Sequence, residues 1–130
     1  MKVFDASSIF TAVREKKTDI LKNSFSVVLA RYEIGNVLWK ETSIRKLYTA
    51  EEGKTLINFF DRVFSEMKLI HPELEDVYTT ALRLQLSFYD ASYVHAALKL
   101  KIPLVTEDKK IKEKAGHLFL IQSFADVLST

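Results

Sequence analysis

Three aspartates stand where a carboxylate can serve two kinds of chemistry. Asp5 follows Lys2-Val3-Phe4 and precedes Ser7, Ser8 and an apolar run. Asp90 precedes Ala91-Ser92-Tyr93-Val94-His95-Ala96-Ala97, and Asp108 follows Leu104-Val105-Thr106 and precedes a lysine-rich segment. Each fits a helix N-cap or first-turn acid, where a carboxylate satisfies free backbone N–H groups and faces the positive end of the helix dipole. In an open parallel sheet, however, ligands bind just beyond the carboxyl ends of the strands. Asp5 and Asp108 each directly follow a strand-like run, so both would lie at that edge. Glu33, within Tyr32-Glu33-Ile34-Gly35-Asn36-Val37-Leu38-Trp39, comes a few residues after a third such run. It is either solvated on an outer helix face or turned toward the same strand ends.

Other chemistries are excluded by residues that are missing. With no cysteine there is no disulfide, zinc–thiolate site, iron–sulfur cluster or thiol nucleophile. His71, His95 and His117 show no metal-ligand spacing and read as surface or core-edge side chains. No GxGxxG occurs, and Gly53-Lys54-Thr55 is no P-loop because Tyr48 stands where that motif needs its first glycine.

The elements that must position the acids follow from periodicity. Apolar, β-branched or aromatic runs at residues 2–4, 25–29, 68–70, 104–106 and 118–121 have strand length and are mostly apolar on both faces, as a helix-covered parallel sheet requires. Helical patterns separate them. Leu56, Phe59, Phe60, Val63, Phe64 and Met67 form one stripe; Leu74, Val77, Tyr78, Ala81 and Leu82 form another; Val94, Ala97, Leu98 and the stem of Lys101 a third. Ile34, Val37 and Leu38 are expected to face inward. Strands alternating with helices predict an α/β fold with a mostly parallel sheet.

The 130 residues and 15.0 kDa suit one domain over residues 1–130, with neither linker nor repeat. Three glycines and two prolines predict long elements and short loops. No apolar run approaches the roughly 18 residues of a membrane span. Asp5 interrupts the first apolar stretch, which argues against a signal peptide. These features and the lack of cysteine fit a cytoplasmic protein. The net charge of +2 is too small to declare a nucleic-acid binder.

Four segments together carry a resemblance. Val3-Phe4-Asp5-Ala6-Ser7, Tyr32-Glu33-Ile34-Gly35-Asn36, Tyr89-Asp90-Ala91-Ser92-Tyr93 followed by Ala96-Ala97, and Leu104-Val105-Thr106-Glu107-Asp108 occur in order along nearly the whole chain. In this the chain resembles PIN domains, and most closely the toxin ribonucleases of the VapC type. The resemblance implies an α/β/α sandwich on a parallel sheet of about five strands. It implies that Asp5, Glu33, Asp90 and Asp108 converge in one acidic pocket, with Ser7, Asn36 and Thr106 orienting the carboxylates. Spacing alone does not bring Asp90 to Asp5 across 85 residues.

Such a pocket offers oxygen ligands only, which select hard cations such as Mg²⁺ or Mn²⁺. Held by Asp5, Asp90 and Asp108, the cation would offset the charge of a scissile phosphate and lower the pKa of a bound water. Glu33 would either ligate a second metal or orient the attacking water. The implied substrate is single-stranded or looped RNA such as tRNA, and the implied partners are a second copy of the chain and a small antitoxin. The alternatives are a PIN-type nuclease of RNA processing or turnover, and an inactive binding module, against which retention of all four acids argues.

Lys99, Lys101, Lys109, Lys110, Lys112 and Lys114, with Arg14, Lys16 and Lys17, either flank the pocket or lie on solvated faces. Tyr32, Trp39 and Tyr48 are candidates for an interface or a base-stacking contact. With four acids committed to metal, 19 basic residues face 13 acidic ones, a balance of +6 that suits a polyanionic substrate.

Overall fold

The computed structural model describes residues 1–129. Its strands are short: β1 (Val3–Phe4), β2 (Phe25–Val27), β3 (Lys68–Ile70), β4 (Leu104–Val105) and β5 (Ile121–Gln122). The helices are α1 (Ala6–Arg14), α2 (Leu29–Trp39), α3 (Ala50–Ser65), α4 (Leu74–Leu84), α5 (Phe88–Leu100), α6 (Lys109–Ala115) and α7 (Phe124–Leu128). A 3₁₀ turn at Thr18–Leu21 follows α1, and α2 runs on into a π-turn at Lys40–Ile44.

The five strands form one sheet in the order β3-β2-β1-β4-β5, every pair parallel. Val3 lies opposite Phe25 on one side and Leu104 on the other, and Phe4 opposite Val105. Right-handed crossovers send the helices between β1, β2 and β3 to one face and those between β3, β4 and β5 to the other. The packing shows this division: α1 contacts α2 and α7, and α2 contacts α3, whereas α5 contacts α4, α6 and strands β1, β2 and β4. The result is a three-layer α/β/α sandwich.

Chain direction across the sheet reverses at β1. The chain moves from β1 outward to β3, then returns to lay β4 on the other side of β1. Between β1 and β4 the following helices diverge to opposite faces, and a crevice opens at the carboxyl ends of both strands. Asp5 and Thr106 stand at that point.

The core is centred on the sheet, with Val3, Phe4, Val27, Leu104 and Val105 essentially inaccessible. Helix α5 is buried on most sides through Ala91, Ser92, Tyr93, Val94, Ala96 and Ala97. Its small residues let it lie close to the strands. Both α4 and α5 stop at a residue in the left-handed region, Gln85 (φ 56°) and Lys101 (φ 58°).

The structure corrects four expectations. The second strand ends at Val27, and Leu29 already opens α2. The last strand is Ile121–Gln122, while Leu118 and Leu120 are exposed. On α4 the apolar face is wider than the buried one: Val77 and Thr80 turn inward, leaving Leu74, Tyr78 and Leu82 each more than half exposed. Phe59 likewise sits at the edge of its stripe, beside buried Phe60.

Candidate active site

Asp5 is the centre of the crevice. It leaves β1 in an extended conformation and caps α1, its Oδ1 accepting from the Ser8 N–H at 2.9 Å and from the Ser7 hydroxyl at 2.7 Å. Its Oδ2 accepts from the Thr106 hydroxyl. The backbone N–H of Asp5 donates to the Val105 carbonyl, as does the Ser8 hydroxyl, so the cap is fixed to β4 as well. Capping and a place at the strand ends are therefore both true of this residue.

Thr106 connects two acids. Its oxygen accepts from the Asp108 N–H at 3.0 Å while its hydroxyl serves Asp5. Asp108 in turn caps α6, accepting from the Lys110 N–H at 2.8 Å. Ser7 has a similar double role, because its oxygen also accepts from the Glu107 N–H at 3.2 Å.

Glu33 and Asp90 come from helices on opposite faces of the sheet. Asp90 lies in the first turn of α5, with Ser87 as the cap. Glu33 is half-buried on α2, and its Oε1 accepts from the Tyr93 hydroxyl at 2.5 Å. Tyr93, 2% exposed, is a member of this group that does not stand out in the sequence. The available signal was its spacing from Asp90, three residues on and so on the same face of the helix.

The acids feel one another. Burial pushes the Asp5 carboxyl above its ordinary range, against the opposing pull of its hydrogen bonds to Thr106, Ser8 and Ser7. Burial also raises Glu33, and the negative charges of Asp5 and Asp90 raise it further while Tyr93 opposes. Asp90 is raised by burial and then by Asp108, with Ser87 and Lys110 opposing. Tyr93 is driven well up, first by burial and then by Glu33 and Asp5, so it stays a donor.

Not every expected residue joins this group. Among the described residues no hydrogen bond links the Asn36 amide to any of the four carboxylates; Asn36 is exposed and lines a cavity beside Glu33. Of the lysines, Lys110 acts on Asp90, whereas Lys99 pairs with Glu73 and Lys114 donates to the Gln85 carbonyl. Tyr48 donates to the buried Glu41 at 3.3 Å, while Tyr32 and Trp39 are exposed. His71 and His117 lie on the surface. His95 lies 3.9 Å from Asp76 on the far side of α5, its Nε2 buried without a hydrogen-bond partner.

This arrangement can be set against known proteins. No family model matches the chain. It is 36% identical over 87 residues to a Pyrobaculum aerophilum protein named Exonuclease VapC9, a match covering 66% of this chain and 62% of the relative. A second protein of that organism, named Ribonuclease VapC3, is 31% identical over 123 residues, covering 86% of this chain and 92% of its own. The chain belongs to the VapC family of PIN-domain proteins. The crystal structure of PAE2754, also from Pyrobaculum aerophilum, shares the fold with a TM-score of 0.82 at 27% identity, over 98% of this chain and 92% of that one.

Within this VapC-type fold the donor set suits a hard divalent cation in kind, being carboxylate and hydroxyl oxygen with no nitrogen or sulfur. Among the described residues no three acidic or histidine side chains are drawn together into a closed cage. An open set of this sort is compatible with Mg²⁺, which keeps several waters and is typically held by one or two carboxylates together with substrate phosphate. Among the described residues no helix is long and apolar enough to cross a membrane.

Proposed function

We propose that this chain is a metal-dependent endoribonuclease and the toxin of a toxin–antitoxin pair. The observation that carries the reading is the switch-point crevice. There Asp5 is locked by Thr106, Ser7 and Ser8, and Asp5, Glu33 and Asp90 are all raised by burial, with neighbouring acids adding at Glu33 and Asp90. Clustered, partly desolvated acids of this kind mark functional sites. The names of the two VapC relatives, a ribonuclease and an exonuclease, support a nuclease.

Mg²⁺ or Mn²⁺ would be held in the crevice shared by Asp5, Asp90, Asp108 and Glu33, one or two of these carboxylates ligating directly and the others acting through its waters; when bound, the cation would offset phosphate charge and acidify a water. The chain's own groups do the rest. Thr106, Ser7 and the α1 N-terminus hold both oxygens of Asp5 in place. Tyr93 engages Glu33 Oε1, which leaves Oε2 to accept a proton from water attacking phosphorus. Lys110, close enough to act on Asp90, supplies positive charge to an RNA backbone.

The substrate in this reading is single-stranded or looped RNA, tRNA among the candidates. The partners are a second copy of the chain, to which Leu74, Tyr78 and Leu82 offer an apolar face, and a small antitoxin. Expression in a host is expected to arrest growth, with relief when the product of a small neighbouring gene is co-expressed. Unimpaired growth would instead favour a role in RNA processing. The relative named as an exonuclease supports a second mode of attack, from strand ends. A circular RNA separates the two, since an endonuclease opens it and an exonuclease leaves it closed.

A further inference from the structure

Helices α1 and α2 bound a cavity of about 490 Å³, lined among others by Ser7, Phe10, Thr11, Glu33, Asn36 and Val37. We propose that this cavity is a nucleotide subsite, taking the base that adjoins the scissile phosphate of a single-stranded RNA, with Asn36 reading the base edge. The inference rests on the nuclease reading above and adds to it a place for the substrate.

Three observations converge on it. First, the cavity is continuous with the acids. Glu33 and Ser7 line it, and both belong to the group around Asp5, so a strand whose phosphate lies over Asp5 has its neighbouring nucleoside here. A comparable cavity on the other flank of α2, bounded by Leu38, Trp39, Gly53 and Ile57, includes none of the four acids.

Second, the lining has the character of a base site. Single-stranded RNA is bound through splayed bases that lie on apolar or aromatic walls and are read by side-chain donors and acceptors. Val37 and the edge of Phe10, whose ring is stacked on Phe60 at 5.8 Å, supply the walls, and both are only half-buried. Asn36 carries a donor and an acceptor, with no hydrogen-bond partner among the described residues; it follows Glu33 by three positions, on the same face of α2. The volume lies in the range of small-ligand pockets.

Third, the outer end is positively charged. The Arg14 guanidinium lies 5.4 Å from the Phe10 ring centre, is exposed, and forms no ion pair among the described residues. A base between Val37 and the edge of Phe10 would bring the next phosphate within reach of Arg14. The cavity and Arg14 thus define a path of one nucleotide leading away from Asp5.

The test is steady-state cleavage of short RNAs that differ only in the base beside the cut. Val37→Trp fills the cavity and is expected to raise KM about tenfold, the equivalent of one lost stacked base. Asn36→Ala is expected to narrow the spread of kcat/KM across the four bases. Arg14→Ala is expected to lower the salt slope of RNA binding by about one. Asn36 and Arg14 are exposed, so these two variants keep the test alive if Val37→Trp fails to fold. Unchanged KM, base preference and salt slope would overturn the subsite while leaving the nuclease intact. Loss of antitoxin binding in these variants with RNA kinetics unchanged would give the cavity to a protein segment, and overturn it equally. A wild-type protein that cleaves no RNA under any metal overturns the underlying reading instead.

Discussion

The Tyr93 hydroxyl donates to Glu33 Oε1 at 2.5 Å across 60 residues of sequence and from the opposite face of the sheet. Tyr93 stands one turn after Asp90 on α5, so one helix sets Asp90 directly and Glu33 through the phenol. No other hydrogen bond holds the Glu33 carboxylate among the described residues, which makes this contact the fixed point of that side of the crevice.

Tyr93→Phe removes the hydroxyl and keeps the ring in the core. Glu33 then loses its donor and its fixed orientation. Cleavage is expected to drop about tenfold in kcat, with KM little changed and a stability loss of about 1 kcal/mol. Steady-state kinetics and denaturant unfolding measure both. A double variant with Glu33→Gln is expected to be no slower than Glu33→Gln alone, because the two residues act as a unit.

Asp5 combines a cap with a proposed ligand, and two substitutions separate the roles. Asn caps as well as Asp, and its amide can donate to Thr106. Asp5→Asn is therefore expected to abolish cleavage while the metal-free protein melts no lower than wild type. Asp5→Ala strands the Ser8 N–H and the Thr106 hydroxyl and is expected to cost about 2 kcal/mol. Unfolding of the Asn variant would remove Asp5 from the catalytic account.

The raised acids make the metal-free fold pH-dependent. Asp5, Glu33 and Asp90 all bind protons more readily folded than at their ordinary values of 3.8 and 4.5. Wherever the native state binds more protons, stability falls as pH rises. In chelator, these groups are expected to make the protein more stable just above pH 4 than at neutral pH, losing stability as pH climbs through the raised values. Denaturant midpoints across that window, compared with those of Asp90→Asn, measure the effect. A rise in stability with pH over the same window, absent in that variant, would contradict it.

Metal should relieve the same repulsion. Mg²⁺ or Mn²⁺ at about a hundred times its Kd is expected to add about 2.7 kcal/mol to the unfolding free energy. Asp90→Asn is expected to lose most of that gain. Thermal melts with and without chelator report it.

Much of this was legible before the structure, though unevenly. Asp5 and Asp108 could be placed at one sheet edge because each follows a strand directly, and position after a strand is a local property. Asp90 could not, since its approach to Asp5 depends on how α5 crosses the sheet, and only the family resemblance supplied it. Tyr93 reads as core because burial and hydrogen bonding give a phenol the same apolar context. Asn36 was expected beside the carboxylates, yet its position on α2 turns it to the neighbouring cavity. Leu74, Tyr78 and Leu82 show the limit of periodicity, which reveals an apolar face but not how much of it another element covers.

The most direct test of the account is cleavage of an internally labelled RNA by purified protein with Mg²⁺, with Mn²⁺ and with chelator, beside Asp90→Asn. Cleavage is expected in either metal, none in chelator, and loss in the variant with its fold intact. Cleavage that persists in chelator, or survives Asp90→Asn undiminished, would contradict it.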